Sequence, residues 1–297
     1  MRFVFGVIIS LAVLVTWPVV APASEGEKGD NGDEIPVISA SLSVEQINQS
    51  DINGSGASIG YTEISAGLKW QFLLLDIDHR KYDWEKSEYF GSDQGKDPWE
   101  ILTRIAPGLQ YYYKPNEKWG VWPKFVAIAG FEDDISAKSW TYNPQIVGFY
   151  MPTQQLTLYG GVGMLYHPVD SIVYPALGVA WNMKSEEGLS GAVGFPETML
   201  RYGFNKRVAL KTEFQWDIRF YRLAEDNNLA PGGFVEIEDT TCTIQLEHKP
   251  FKGLTLSLGI RRYFGRELTV FDHTENELTT NDVSDSWAYL LGIDYQF

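Results

Sequence analysis

The chain has 297 residues, and its 39 acidic residues outnumber its 24 Lys and Arg residues to give a formal charge of −15, which excludes non-specific binding to nucleic acid. The mean hydropathy is −0.19, and no run of about 18 apolar residues follows residue 23, so a membrane protein built of helices is excluded. Cys242 is the only cysteine, which excludes an intramolecular disulfide and a cysteine-rich metal site.

Residues 1–23 have the features of a secretory signal peptide. A basic N-terminus precedes an apolar stretch from Phe3 to Val20, and Ala21-Pro22-Ala23 fits the small-residue pattern of a cleavage site. No cysteine follows this leader, so a lipid anchor is not expected. Residues 24–35 are charged and contain glycine, which predicts a flexible periplasmic lead-in. Loss of the leader would leave 23 basic and 39 acidic residues, a formal charge of −16.

From residue 36 onward the chain repeats one sequence pattern, in which a stretch of alternating apolar and polar residues is followed by a turn or a polar loop. Alternation with a period of two predicts β-strands. The predicted strands are 36–48, 57–69, 71–83, 101–114, 118–131, 139–151, 155–167, 171–183, 188–195, 198–205, 207–221, 234–248, 253–265 and 285–297. The residues between 188 and 205 are barely enough for two strands of about 9–11 residues. Twelve strands, with 188–204 as a partial or infolded hairpin, are therefore the alternative.

The connections between these strands alternate in length. Short turns rich in Pro, Gly, Asn and Lys are predicted at 114–118, 151–154, 184–188, 205–207 and 249–253. Longer, acidic connections are predicted at 84–100, 132–138, 222–233 and 266–284. Outer-membrane barrels have short periplasmic turns and longer extracellular loops. The predicted fold is therefore an all-β, transmembrane, antiparallel barrel over residues 36–297, with both termini on the periplasmic side.

The C-terminal segment shows the clearest alternation. Aromatic and aliphatic residues occupy every second position, and the positions between them are mostly small or polar. The apolar stripe consists of Trp287, Tyr289, Leu291, Ile293, Tyr295 and Phe297. This segment resembles the C-terminal assembly signal of Gram-negative outer-membrane β-barrels, in which a terminal Phe follows such a stripe. The resemblance implies an outer-membrane location and recognition by the barrel-assembly machinery.

A second resemblance lies in two neighbouring stretches. They run from Gly194-Phe-Pro-Glu-Thr-Met-Leu-Arg-Tyr-Gly-Phe-Asn-Lys to Arg207, and from Trp216-Asp-Ile-Arg-Phe-Tyr-Arg-Leu-Ala-Glu-Asp to Asn227. Both are similar to an uncharacterised family of bacterial outer-membrane barrels, a domain of unknown function. This resemblance implies the barrel fold, and it does not imply a substrate.

Charged residues mark the predicted inner face of the barrel. In 208–221, Phe214, Trp216 and Ile218 alternate with charged residues, and a charge facing lipid costs about 2–4 kcal/mol at the midplane, so the charged face should point into the lumen. The residues predicted to face the lumen are Asp76, Asp78, Arg80, Lys211, Glu213, Gln215, Asp217 and Arg219. Their mixed sign fits both a water-filled pore and a closed salt-bridge network.

The chain carries no strong signature of an enzyme. Only His167-Pro-Val-Asp170-Ser171 places His, Asp and Ser together, and a catalytic triad normally gathers its members through the fold rather than within a few residues. No phosphate loop, zinc spacing or calcium loop appears. We therefore predict a protein without enzymatic activity, cofactor or metal, and a hydrolase using His167 and Ser171 ranks last.

The predicted function is a passive, porin-like channel for small polar solutes or ions in the outer membrane of a Gram-negative bacterium. The alternative is a plugged barrel with a structural or surface-interaction role. Acidic loops such as 132–134 predict a mild preference for cations. The predicted partners are outer-membrane lipid, lipopolysaccharide and the assembly machinery, without nucleic acid. The sequence leaves the solute and the oligomeric state open.

Overall fold

A computed structural model describes residues 38–91, 96–183 and 185–297. The predicted signal peptide and the predicted lead-in lie outside the described residues. The strands are β1 (Ile38–Asp51), β2 (Ser58–Trp70), β3 (Leu73–Glu85), β4 (Ile101–Gln110), β5 (Trp119–Phe131), β6 (Trp140–Tyr150), β7 (Leu156–Tyr166), β8 (Ser171–Trp181), β9 (Gly188–Phe195), β10 (Glu197–Asn205), β11 (Val208–Arg222), β12 (Phe234–Phe251), β13 (Leu254–Phe271), β14 (Glu277–Val283) and β15 (Ser286–Gln296). Two short 3-10 turns span Ser87–Phe90 and Ala137–Ser139.

Strands β1 to β13 and β15 close into one antiparallel barrel. Each strand pairs with its neighbour in sequence, β13 also pairs with β15, and β15 pairs with β1 to close the ring. The prediction of about 14 strands in an all-β barrel is confirmed. The 12-strand alternative is wrong, because β9 pairs with both β8 and β10, and β10 also pairs with β11.

The last long loop contains structure that the sequence did not predict. Strand β14 pairs with the outer end of β13, and β13 runs to Phe271, well beyond its predicted end at 265. β12 begins at Phe234 as predicted and ends at Phe251, slightly beyond its predicted end on the periplasmic side. On the same side of the barrel, the connection after β7 is short (167–170), and β9 joins β10 through Pro196 alone. Long loops and two short connections therefore share the predicted extracellular side.

The outside of the barrel is apolar. Large aliphatic side chains on its outward face are exposed by up to 65%, and they follow one another around the ring of strands. They include Leu68, Leu75, Leu109, Ile146, Val162, Leu177, Val193, Leu210, Ile244, Leu258 and Leu291. A closed sheet pairs its backbone groups internally, so such a surface is stable in hydrocarbon. The barrel is therefore a transmembrane one. No helix among the described residues is long and apolar enough to cross a membrane.

Replacing Leu258 with Arg should destabilise the protein in lipid vesicles by about 2–4 kcal/mol, because the side chain points into hydrocarbon. Leu278, which is similarly exposed but lies on β14, is the matched control, and Leu278→Arg should change stability by less than about 0.5 kcal/mol. Urea unfolding followed by heat-dependent gel mobility measures both. Equal costs at the two leucines would show that the membrane span has been misplaced.

Candidate lumen of the barrel

The charged side chains predicted to face the lumen lie inside the barrel wall. Asp76, Asp78, Gln215, Asp217 and Arg219 line one internal cavity. Arg80 is 1% exposed and pairs with Glu63. Lys211 and Glu213 form a separate pair, with Nζ 2.6 Å from Oε1. The alternation along β3 and the periplasmic half of β11 therefore places the charges on the inner face and the apolar residues outside.

Buried ion pairs cross the middle of the barrel. We call them the ion-pair belt, and its members are Glu45, Glu63, Asp78, Asp217, Arg80, Arg104, Arg219 and Arg261. Arg219 Nη1 lies 2.8 Å from Glu63 Oε2, which connects β11 with β2 across the interior. Arg261 Nη1 lies 2.7 Å from Glu45 Oε2, and the Tyr263 hydroxyl donates to the other oxygen of Glu45 at 2.6 Å.

The belt is electrically balanced, with four carboxylates and four guanidinium groups. A charge taken out of water is costly unless it is paired and hydrogen-bonded, and each of these residues has a partner at ion-pair distance. The belt therefore consists of three paired groups, which are Arg80, Glu63, Arg219 and Asp217, then Arg104 with Asp78, and Arg261 with Glu45. All of its members except Arg80 also line an internal cavity.

Sequence reasoning missed Glu45, Glu63 and Arg104 of the belt, and it placed Arg261 opposite the outward leucines of its strand without predicting its partner. Glu45, Glu63, Arg104 and Arg261 each occupy an inward position of an alternating strand. That alternation is a signal the sequence contains, and it could have placed these residues inside. Their pairing, such as Arg261 with Glu45 two strands away, depends on closure of the barrel and has no local signature.

An apolar core fills the barrel on the extracellular side of the belt. Its members include Ile47, Ile59, Tyr61, Tyr82, Trp84, Phe90, Trp99, Leu102, Tyr221, Leu223, Val235, Ile237, Tyr263, Leu268 and Val270. Trp84 and Trp99 pack edge to face with centroids 5.1 Å apart, and the Trp84 indole donates to the Trp99 carbonyl at 2.9 Å. The extracellular half is therefore packed like a protein interior rather than filled with water.

The extracellular loops are tied to each other above this core. Asn227 Nδ2 donates to the Pro98 carbonyl at 2.5 Å, and Glu132 accepts from the backbone N–H of Ala224 at 2.8 Å. Burial raises the pKa of the Glu132 carboxyl above its ordinary value. Lys138 Nζ lies 3.0 Å from Glu275 Oε1. Four loops thus form a connected cap.

The extracellular half of β11 turns into the barrel. Trp216 and Ile218 were predicted to face lipid, and this is wrong. Ile218 and Phe220 are 7% and 3% exposed, and they pack with Leu165 and Tyr174 from the inner face of β7 and β8. The physical reason is the short β9–β10 hairpin, which leaves the upper part of β11 without a neighbour on that side, so its apolar face is buried inside instead.

The inward turn of β11 closes a smaller ring. Arg222 of β11 forms a parallel bridge with Phe131 of β5, and the N–H of Glu132 donates to the Arg222 carbonyl at 2.9 Å. A Cβ atom on Gly130 would come within 2.0 Å of the Phe220 carbonyl oxygen, so glycine is needed for this approach. Above the belt, β1 to β5, β11 to β13 and β15 therefore surround the core, and β6 to β8 lie outside it.

A cavity remains between the belt and the displaced strands β6 to β8. This mid-barrel cavity offers about 100 Å³ to water. Its polar wall includes Asp76, Lys124, Asn143 and Gln215, and its apolar wall includes Leu165, Tyr174, Pro196, Trp216 and Ile218. Tyr174 donates from its hydroxyl to Asn143 Oδ1 at 3.0 Å.

The periplasmic end of the lumen is wetter than the extracellular end. Lys69 and Asp294 occupy inward positions near the short turns, and both are exposed. On the other side of the same end, however, a second buried apolar cluster fills the interior, formed by Trp122, Val147, Phe149 and Ala176 with Tyr112, Met151 and Tyr159 packed against it.

His167 has a packing role. Its ring stacks on Phe220 with centroids 4.4 Å apart, its Nδ1 accepts from the Val169 N–H at 3.3 Å, and burial lowers its pKa to about 4. Asp170 Oδ1 accepts from the backbone N–H of Ser171 at 2.7 Å. Among the described residues, no hydrogen bond links the His167 ring to the side chain of Asp170 or Ser171, and no cluster of His, Cys, Asp and Glu could hold a metal ion.

The predicted assembly stripe lies on the outer face of β15. Trp287, Tyr289, Leu291, Ile293 and Phe297 are between 43% and 70% exposed. Tyr295 packs edge to face against Phe297 with centroids 4.7 Å apart. Strand β15 is also the strand that closes the barrel between β13 and β1.

No family model matches the chain, and a search of curated proteins finds no match. Solved structures that it resembles include the KdgM porin, at 13% identity over 86% of this chain and 99% of that chain, with a TM-score of 0.35. An outer-membrane channel from Pseudomonas putida F1 matches at 10% identity over 88% and 95%, with a TM-score of 0.42. The Pseudomonas putida toluene transporter TodX matches at 9% over 87% and 89%, with a TM-score of 0.31.

At these identities and TM-scores, the likenesses contribute nothing to an assignment of function. The barrel itself is established by its strand pairing and its apolar exterior. The resemblance of the sequence to outer-membrane β-barrels is thereby confirmed, whereas the resemblance to an uncharacterised family finds no matching family model.

Replacing Gly130 with Ala should destabilise the protein by about 1–3 kcal/mol, because the new methyl group collides with the Phe220 carbonyl and forces β11 away from β5. Gly160, whose added Cβ would meet nothing within 4 Å, is the matched control. Unfolding in urea measures the difference. If both alanine variants were equally stable, the close approach of β11 to β5 would be incorrect.

Replacing Glu63 with Gln should cost about 3–5 kcal/mol, because Arg80 loses its buried carboxylate partner and Arg219 keeps only Asp217. Glu225, whose side chain is 78% exposed beside Arg222, provides the comparison, and Glu225→Gln should leave the stability nearly unchanged. Equilibrium unfolding at constant salt tests this pair. Similar small costs would indicate a hydrated, water-screened belt.

Proposed function

We propose that this protein is a porin-like channel of the Gram-negative outer membrane that is closed at its extracellular end in the state described here. The apolar exterior and the closed sheet support a membrane-spanning role. The predicted leader and the C-terminal stripe support export to the outer membrane, where the stripe is the surface that we expect the barrel-assembly machinery to recognise and the exterior meets lipid and lipopolysaccharide.

The observation that carries the proposal is the contrast between the two halves of the lumen. The periplasmic half is only partly packed: exposed charges at Lys69 and Asp294 lie beside the apolar cluster of Trp122 and Phe149, and a cavity with charged walls lies further in. The extracellular half is blocked by the belt, the core and the connected loops. The function that we propose is therefore not a permanently open pore. It is a channel that must rearrange before it conducts.

A sealed barrel with a structural or surface-interaction role is the second candidate. The neutral belt and the apolar core favour it, because a network with balanced charges stabilises a closed barrel without any need for transport. The acidic extracellular loops would then be the part that meets partners.

Planar bilayer recordings separate the two functions. Wild-type protein should be silent, whereas a double variant, Trp99→Ala with Tyr221→Ala, should show discrete conductance because two of the largest buried side chains of the core are removed. Trp119→Ala with Tyr150→Ala is the matched control, since these rings stack outside the lumen with centroids 4.5 Å apart. Folding of every variant is checked by heat-dependent gel mobility.

Each outcome of the bilayer recordings supports one of the two functions and contradicts the other. Steady conductance of the wild type would contradict the closed state and restore the passive pore. A core variant that folds and remains silent would contradict the channel and support the sealed barrel. When the core variant conducts, the acidic loops should make it prefer cations, and this preference should weaken above about 0.1 M salt, where the Debye length falls below ~10 Å.

A further inference from the structure

Arg262 is a charged side chain on the lipid-facing side of β13. Leucine and isoleucine side chains precede it on this face, and the strand pairing places Cys242 of β12 and Trp287 of β15 directly beside it. A strand tilted by about 40° rises about 2.5 Å per residue, so Arg262 lies about 20 Å above Leu254, at the periplasmic start of β13. The apolar band of an outer-membrane barrel is about 25 Å tall. Arg262 therefore lies at membrane depth, near the extracellular edge of this band.

The guanidinium group of Arg262 is only partly satisfied by the protein. Its Nη2 atom lies 2.7 Å from Asp285 Oδ2, and its Cζ atom lies 5.8 Å from the centre of the Trp287 ring. The Arg262 side chain is 50% exposed, and the described residues offer its other N–H groups no hydrogen-bond acceptor. Ionisable groups at membrane depth are rare, and they mark functional sites. The free N–H groups of Arg262 therefore need an acceptor from outside the chain.

An apolar groove runs along the outer wall beside Arg262. It has a volume of about 450 Å³, and its lining side chains are Cys242, Ile244, Ile260, Arg262, Phe264, Asp285 and Trp287. Ile244 and Ile260 lie towards the middle of the membrane, and Arg262 follows them on the extracellular side. We call this feature the outer-leaflet groove. It joins an apolar trough to an end that carries a guanidinium group.

The chemistry of the outer-leaflet groove matches a lipid with an anionic head group. The trough can hold an acyl chain, because its side chains are aliphatic, aromatic or thiol groups. Arginine binds phosphate through two parallel N–H···O bonds, and basic pockets near a membrane surface bind lipid head groups. The predicted topology places the guanidinium end in the outer leaflet. There, lipopolysaccharide is anchored by lipid A, a sugar that carries both phosphate groups and acyl chains.

A zwitterionic phospholipid is a poorer match for this groove than lipid A. Its head group carries an ammonium group close to the phosphate, and that ammonium competes with Arg262 for the phosphate oxygens. The phosphate groups of lipid A have no such internal counter-ion. Since Asp285 already takes part of the charge of Arg262, the stronger anion is favoured at this position.

We infer that the outer-leaflet groove is a binding site for lipid A of lipopolysaccharide. One phosphate group binds the free N–H groups of Arg262, and one acyl chain lies against Ile244 and Ile260. Asp285 keeps the guanidinium group in place by holding its other edge. The inference rests on the outer-membrane location within the proposed function and is independent of conduction, so it stands whether or not the barrel passes ions.

Occupancy of the groove is measured through Cys242, which lines it and is the only cysteine of the chain. The full chain is purified in detergent without lipopolysaccharide, and alkylation of Cys242 by N-ethylmaleimide is followed by mass spectrometry as lipid A is added. Bound lipid A covers the thiol, so saturating lipid A should slow the reaction at least fivefold. Arg262→Gln should raise the lipid A concentration for half-maximal protection at least tenfold, and Arg262→Lys, which keeps the charge without the planar fork, should lie between.

Lys81→Gln is the matched control. Lys81 is an exposed basic residue on the outer face of β3, and it lies as far above Leu73 as Arg262 lies above Leu254. It is outside the outer-leaflet groove, so Lys81→Gln should leave the protection of Cys242 unchanged. Native mass spectrometry counts the lipid A adducts on every variant. This count decides the result if the thiol reacts slowly even without lipid.

Two further lipids identify which part of the ligand is recognised. Lipid A without its phosphate groups removes the partner of Arg262 and keeps the acyl chains. Phosphatidylethanolamine keeps a phosphate and adds an ammonium group. Each should protect Cys242 at least fivefold more weakly than lipid A does.

Any of three results would overturn the inference. Equal half-maximal concentrations for the wild type and Arg262→Gln would show that the guanidinium group does not bind the phosphate. Protection by phosphate-free lipid A or by phosphatidylethanolamine that equals protection by lipid A would show that the groove takes any acyl chain. The absence of both protection and adducts in the wild type would show that the groove does not bind lipid A. None of these results bears on the bilayer recordings, which test the channel separately.

Discussion

The need to pair every backbone group inside a membrane shapes this protein at each level. Fourteen strands satisfy that need near the periplasmic side by closing into a full ring. Near the extracellular side β9 and β10 end early, and the ring cannot close in the same way. β11 then bends inward until it reaches β5, and this second, smaller closure determines what the interior can contain.

The two closures explain why the lumen differs so much along its length. The larger ring leaves room for water around residues such as Lys69 and Asp294. The smaller ring is narrow enough for aromatic side chains such as Trp99 and Tyr221 to fill it. The ion-pair belt lies between the larger ring and the smaller ring. Its charges can be buried there because each lies at ion-pair distance from an opposite charge.

The inward turn of β11 also has a cost in the wall. With β9 short, 171–176 of β8 has no partner in β9, and the inner face of β7 and β8 packs on the inward-turned β11 instead, through Leu165 and Tyr174.

Much of the fold is readable from local pattern. Period-two alternation places the strands because side chains on a strand point to opposite faces, and a charge on the lipid face is too costly to tolerate. That reasoning puts Asp78 and Arg219 inside and gives the approximate number of strands. It fails for β14, which lies in a polar loop, and for the upper half of β11, whose apolar face looks the same whether it meets lipid or protein.

What the sequence determined by itself is the barrel, the inner and outer faces of most strands and the sign of the charges within. Only the tertiary structure decided that those charges pair into a belt of balanced charge, and that Ile218 and Phe220 are buried against β7 and β8. The reason is physical: alternation is a local property of one strand, whereas pairing across the lumen and the inward turn of β11 depend on how far the neighbouring strands reach.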